Sequence, residues 1–373
     1  WHGLPVPADQ DGNPMDPVPP GASRTYTFTL PGGSAGTYWY HPHPHETTHE
    51  QVFRGLAGGL IVRPAADPLG AIAERVMMIT DLRLDPANQI AANTAQDNLL
   101  GREGDHLLVN GLKQPVIAVQ AGATERWRII NATNARYLRL ALAGHSLQVI
   151  SHGAGLIERP QTVSEILLAP AQRVELLVQA SAVPNRSFAL TAGPYTRGMM
   201  MSVSTAVDVL QLNTSLAGVA APVMLPAAFA AVPELPVPVR TQTVSLGDAM
   251  GMGMGAAMGM SNQFQINGRS FDPARVDLVT RVGDTEDWLV ANQGSMDHPF
   301  HIHGTQFQLV GSSRTDTTPG LGYRAWIDTI NVRGGETVRL RVRQDMAGKR
   351  MFHCHILEHE DQGMMAVLNV QSS

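Results

Sequence analysis

Cysteine is almost absent: Cys354 is the one such residue among 373. No internal disulfide can form, so cysteine pairing carries no information about redox compartment. Charge is sparse too, at 16% of residues with a formal net charge of −5. No run of basic residues exceeds two, which removes the electrostatic footprint of a nucleic-acid or anionic-membrane partner. Nothing approaches the roughly 18 to 20 consecutive apolar residues of a membrane span. Amphipathic helical patterns are missing beyond about two turns. An initiator methionine is missing as well: the chain opens on Trp1-His2-Gly3, and its natural start is expected to lie upstream.

What remains is a pattern of short alternations. The stretches "RTYTFTL" (24–30), "ARYLRLAL" (135–142) and "ETVRLRVR" (336–343) place apolar side chains at nearly every second position, the period of a half-buried strand. Gly, Pro, Asn and Asp punctuate them about every ten residues, which predicts all-β, Greek-key sandwiches. With 43% hydrophobic residues over this length, more than one core is expected. A Pro- and Ala-rich stretch after residue 61 and a proline-rich segment over 215–240 read as boundaries. They divide the chain into 1–66, 67–214, a linker over 215–240, and 241–373.

Histidine is where the chain becomes specific. Nine of the 14 fall into four clusters: "WHG" with His2; "HPH" with His41 and His43; "HPFHIH" with His298, His301 and His303; and "HCHILEH" with His353, His355 and His359. On a strand, residues two apart share a face. Each HxH pair therefore offers two imidazoles to one site. Within "HCH" the same alternation turns Cys354 to one face and its flanking histidines to the other. Cys354, His359 and Met364, with a further histidine from elsewhere, make a His₂Cys set with a weak axial thioether, the pattern of an electron-transfer copper. Structural zinc, which favours CxxC pairs, and a metal-free core are the competing readings.

Taken in order, two near the start and two near the end, the four clusters resemble the copper-binding motifs of the multicopper oxidases. The segments "GTYWYHPHPHETTHEQVFRGLAGGLIV", "WIDTINVRGGETVRLRV" and "HCHILEHEDQGMM" are similar to the bacterial laccase and cuprous oxidase branch. The resemblance implies three cupredoxin-like domains, the first incomplete here and the second without copper ligands. It implies four coppers per intact chain. Cys354, His298, His359 and Met364 would hold type 1 copper. His2, His41, His43, His303, His353 and His355 would bind the type 3 pair, and His301 the type 2 copper. Another histidine normally precedes the tryptophan of the first motif.

The same resemblance implies oxidation of phenols, aromatic amines or Cu(I) coupled to reduction of O₂ to water, in a periplasmic or secreted monomer. It gives Glu360 and Asp11 roles in proton delivery, and leaves His45 and His49 outside the ligand set. His106, His145 and His152 are expected to be structural. Met250, Met252, Met254, Met258 and Met260 sit in a glycine-rich stretch before a strand, and soft thioethers select Cu(I). With Asp248 and Met296 they form a candidate Cu(I) substrate site, although the acidic residue expected four before His298 is Gly294. A copper-free cupredoxin scaffold would have no reason to retain these ligands, and a copper nitrite reductase would not need repeated HxH pairs.

Overall fold

The structure, a computed structural model, describes residues 1–198, 203–221, 223–229, 231–248, 264–314 and 322–372. Within them strands dominate, and the helices are single short segments at Thr48–Phe53, Ala95–Leu100 and Leu357–Asp361. The all-β expectation is met. A seven-stranded and a five-stranded sheet occupy the middle of the chain, and two five-stranded sheets the C-terminal part. The strands Gly36–Tyr40 and Gly58–Val62 pair antiparallel near the start.

Alternation becomes layering where a ladder partner exists. In the strand Thr337–Arg343, Val338, Leu340 and Val342 are buried while the arginines between them turn outward. In Leu138–Leu142 the three leucines point into the core. Four pairings are parallel, among them Arg240–Asp248 beside Thr285–Asn292, so the sheets are mixed rather than purely antiparallel.

Two expectations need correction. Residues 24–30 alternate in exposure but form no strand among the described residues. Tyr26 and Phe28 pack edge-on against Trp1, and the Thr27 amide donates to the Gln10 side chain. Alternation without a neighbouring strand orders side chains but makes no ladder. The expected linker also begins late, because the strand Val207–Val219 runs into it, with Leu216 and Val219 in register with Gln120 and Ala121. Its later part is tied down by hydrogen bonds to its carbonyls, from Gln308 to Pro233 and from Arg324 to Val232.

Candidate metal centre

Two antiparallel strands build the site. Gly348–Cys354 ends on the "HCH" motif, and His298–Ile302 opens on the "HPFHIH" motif. Their register sets Phe300 opposite Cys354 and His301 opposite His353, so both motifs present alternate faces together. On one face the Cys354 thiol lies 3.4 Å from His298 Nδ1 and 3.9 Å from His359 Nδ1. The short helix Leu357–Asp361 carries His359 back over the strand end. The chain then returns so that the Cys354 amide donates to the Met364 carbonyl. All four side chains are fully buried.

The other face holds seven imidazoles. His43, His303 and His353 bring potential ligand atoms within 4.8 Å of one another, as do His2, His41 and His355. His353 Nε2 lies 3.1 Å from His303 Nε2 and 3.3 Å from His43 Nε2. His301 stacks on His2 with ring centroids 3.9 Å apart. In the first motif, Gly3 has φ +81°, and a Cβ there would lie 2.4 Å from an Asp328 carboxylate oxygen. The glycine is required for that close approach.

The donor set fits copper, because in four of these histidines one ring nitrogen is occupied and the other is left to face the site. His301 Nδ1 donates to the Asp328 carbonyl at 2.8 Å, and His353 Nδ1 to the Cys354 carbonyl at 2.9 Å. His303 Nδ1 bonds Asp11 at 3.0 Å, and His359 Nε2 the Leu99 carbonyl at 3.2 Å. Such outer bonds fix the tautomer and aim the other nitrogen inward. Both nitrogens of His355 and Nδ1 of His2 are buried without a hydrogen-bond partner, a state that needs a compensating ligand. Burial and mutual repulsion hold His2, His41, His301 and His355 well below the usual imidazole range. Burial pushes the Cys354 thiol up, and a coordinated metal would reverse that by stabilising the thiolate.

Known proteins resemble this chain along its whole length. Family-level sequence models described as multicopper oxidase match residues 1–67, 74–215 and 244–373. A multicopper oxidase of Staphylococcus haemolyticus is 30% identical, across 99% of this chain and 76% of that protein. A Bacillus stratosphericus laccase is 28% identical, covering 99% and 79%. The structure of a Campylobacter jejuni multicopper oxidase described as a metallo-oxidase superposes with a TM-score of 0.91. It is 43% identical and covers all of this chain and 79% of its own. The chain belongs to the multicopper oxidase family. It is therefore a copper oxidoreductase that takes O₂ and a reducing substrate, and the scaffold and nitrite reductase readings are not favoured.

In this multicopper oxidase both predicted carboxylates stand beside the histidine group. Asp11 bonds His303, and Glu360 places its oxygens 3.4 Å from His43 Nδ1 and 3.1 Å from His353 Nδ1. Burial alone would raise Glu360, but His43 and His353 hold it below the usual range. Of the histidines outside the motifs, His45 packs on Phe271, His49 bonds Asp361 at 2.6 Å, and His145 accepts from the Ser181 amide. His106 meets Lys113, and His152 the Tyr323 hydroxyl. None of the five joins a metal-compatible group among the described residues.

Asp248 ends the strand Arg240–Asp248, and its Oδ2 lies 3.4 Å from His298 Nε2. A Cβ on Gly294 would fall 2.0 Å from that same oxygen, so the missing side chain at 294 makes the room that Asp248 fills. Met296 is buried in the core. Met250, Met252, Met254, Met258 and Met260 lie outside the described residues.

Asp328 was not singled out in the sequence, where it is one acid among 32. In the structure it is fully buried, takes two hydrogen bonds from Arg173 at 2.7 and 2.6 Å, and lies 3.0 Å from His2 Nε2. Glu358 was also missed. Asn134 donates to it at 2.8 Å, while burial pushes its carboxyl up to about 7. For a carboxyl raised in the folded state, the stabilisation is complete below the unfolded pKa and is lost as pH rises through about 7. The shift from 4.5 to about 7 bounds the loss at about 3 kcal/mol. Glu358→Gln, which keeps an acceptor for Asn134, should remove that decline. Denaturant unfolding of copper-free protein at about pH 5 and about pH 8 checks it; parallel slopes for variant and parent would contradict the assignment.

Proposed function

We propose that Cys354, His298, His359 and Met364 bind type 1 copper. His2, His41, His43, His303, His353 and His355 hold the type 3 pair, and His301 serves the type 2 copper. The observation that carries this reading is the strand alternation that sets Cys354 against two imidazoles on one face and His353 and His355 among imidazoles on the other. Bound copper would supply one-electron acceptance on the thiolate face and four-electron reduction of dioxygen to water on the histidine face. The chain itself joins the two faces, since His353 and His355 are the peptide neighbours of Cys354. Glu360 and Asp11 present ionised carboxylates to Nδ1 of His353 and His303, where they can relay protons. The site would work outside the cytoplasm, periplasmic or secreted, as the family resemblance implies. Metal analysis with visible and electron paramagnetic resonance spectra tests the assignment. An intense blue band together with more than one copper per chain is expected, and copper without a blue band would remove it.

The donor reading covers both Cu(I) and phenols. Asp248 supports Cu(I), because a buried carboxylate at the outer edge of His298 can hold a cation against a type 1 ligand. The likeness to the metallo-oxidase supports the same donor, and the likeness to laccase supports phenols. Asp248→Asn should lower kcat/KM for Cu(I) about tenfold and leave the oxidation of phenols within about twofold. Equal loss with both donors in steady-state assays would show that Asp248 only supports the fold.

A further inference from the structure

The two type 1 histidines are held in different ways. His298 opens the strand His298–Ile302, and ladders on both sides fix that strand. His359 lies in the helix Leu357–Asp361, which is five residues long and has no side-chain cap at its start. So short a helix does not hold itself, and the His359 ring has to be oriented from outside. The Leu99 carbonyl, 3.2 Å from its Nε2, fixes one corner of the ring. A single hydrogen bond there leaves the tilt of the ring plane unset.

Phe264 supplies the missing constraint. Its ring lies face to face with that of His359, with centroids 3.9 Å apart and planes 17° apart, and both side chains are fully buried. The phenylalanine is anchored in turn. It opens the strand Phe264–Ile266, and its carbonyl accepts from the Ser270 hydroxyl at 3.3 Å. Its register partner across the ladder is Asp248. One rung therefore meets both histidines, with Asp248 at the edge of His298 and Phe264 on the face of His359.

We propose that Phe264 is a positioning residue that raises the type 1 potential, by holding the His359 ring to the metal and keeping water off its face. The inference rests on the copper assignment above. The step concerned is the transfer of one electron: the donor loses it, the type 1 set gains it, and no proton moves at that set. With the Cys354 thiolate as the one anionic ligand, metal and ligands together carry one positive charge before the step and none after it. A dry, apolar surrounding penalises the charged form and so favours reduction. The apolar shell of a metal site acts on its potential in this way, and a phenyl face is such a shell.

Redox titration of the copper-loaded protein, followed at the blue band, tests the role of Phe264. In Phe264→Leu the blue band should remain, while the equilibrium constant for one-electron reduction falls about tenfold, a shift of about 59 mV. Phe264→Tyr, which keeps the ring face, should stay within about twofold of the parent constant. Phe307 is an equally buried phenylalanine at the opposite edge of the same five-stranded sheet. Phe307→Leu loosens the core to a similar degree and should also stay within about twofold. If Phe264→Leu does not fold, Phe264→Ile, whose branched side chain suits a strand, carries the same measurement. An unchanged potential in the aliphatic variant would overturn the proposal, as would an equal fall in Phe264→Tyr or Phe307→Leu. In those cases a blue parent leaves the copper assignment standing. A parent protein without a blue band would overturn that assignment and this inference with it.

Discussion

Cys354→Ser is expected to abolish the blue colour and the oxidase activity together. The loss of turnover should reach about three orders of magnitude, or roughly 4 kcal/mol on the barrier. A hydroxyl is a poor match for copper where a thiolate is a strong one, and Cys354 is the one soft anion against His298 and His359. The substitution is nearly isosteric and the backbone hydrogen bond from Cys354 to Met364 is retained, so the fold should survive. Copper on the histidine face should largely stay, because His353 and His355 point away from the substituted side chain. Visible spectroscopy with metal analysis decides the matter. A blue band that persists in the serine variant would sink the assignment of the thiolate face.

Asp328→Ala should be the most destabilising single change at the interface between the middle sheets and the C-terminal sheets. Arg173, on the strand Arg173–Gln179, would lose both of its bonds to the carboxylate and remain buried with its charge uncompensated. Breaking a buried pair in this way costs about 3 to 5 kcal/mol. His2 would lose its bond to Asp328, and the stacked His2–His301 pair its support, so copper on the histidine face should fall as well. Unfolding should be followed on copper-free protein, because bound metal would add its own stabilisation to the folded state. A midpoint unchanged by the alanine would show that Arg173 finds another partner. Asp328→Asn, which preserves shape and one acceptor, should cost less, and its copper content separates lost charge from lost packing.

Much of the candidate metal centre was legible in the chain because its information is local. Alternation is a property of the backbone, so "HCH" and "HPFHIH" announce which side chains share a face before any fold is known. A thiol between two imidazoles, with a histidine and a methionine following, specifies its chemistry by residue type. The all-β character was legible for the same reason. What alternation could not say was whether a stretch would find a neighbour: 135–142 and 336–343 did so, and 24–30 did not.

The tertiary structure decided everything that depends on residues distant in sequence. Asp328 is an ordinary acid in the chain and becomes a central one when Arg173, 155 positions away, is folded against it. Asp248 reaches His298 across 50 positions because the side chain absent at Gly294 leaves it room. Which nitrogen of each histidine turns inward was likewise invisible, since the answer lies with Asp11, Leu99 and other groups that only packing brings near. Local chemistry can be written in a motif. The hydrogen bonds that aim it come from long-range contacts, and those exist only once the sheets have closed on one another.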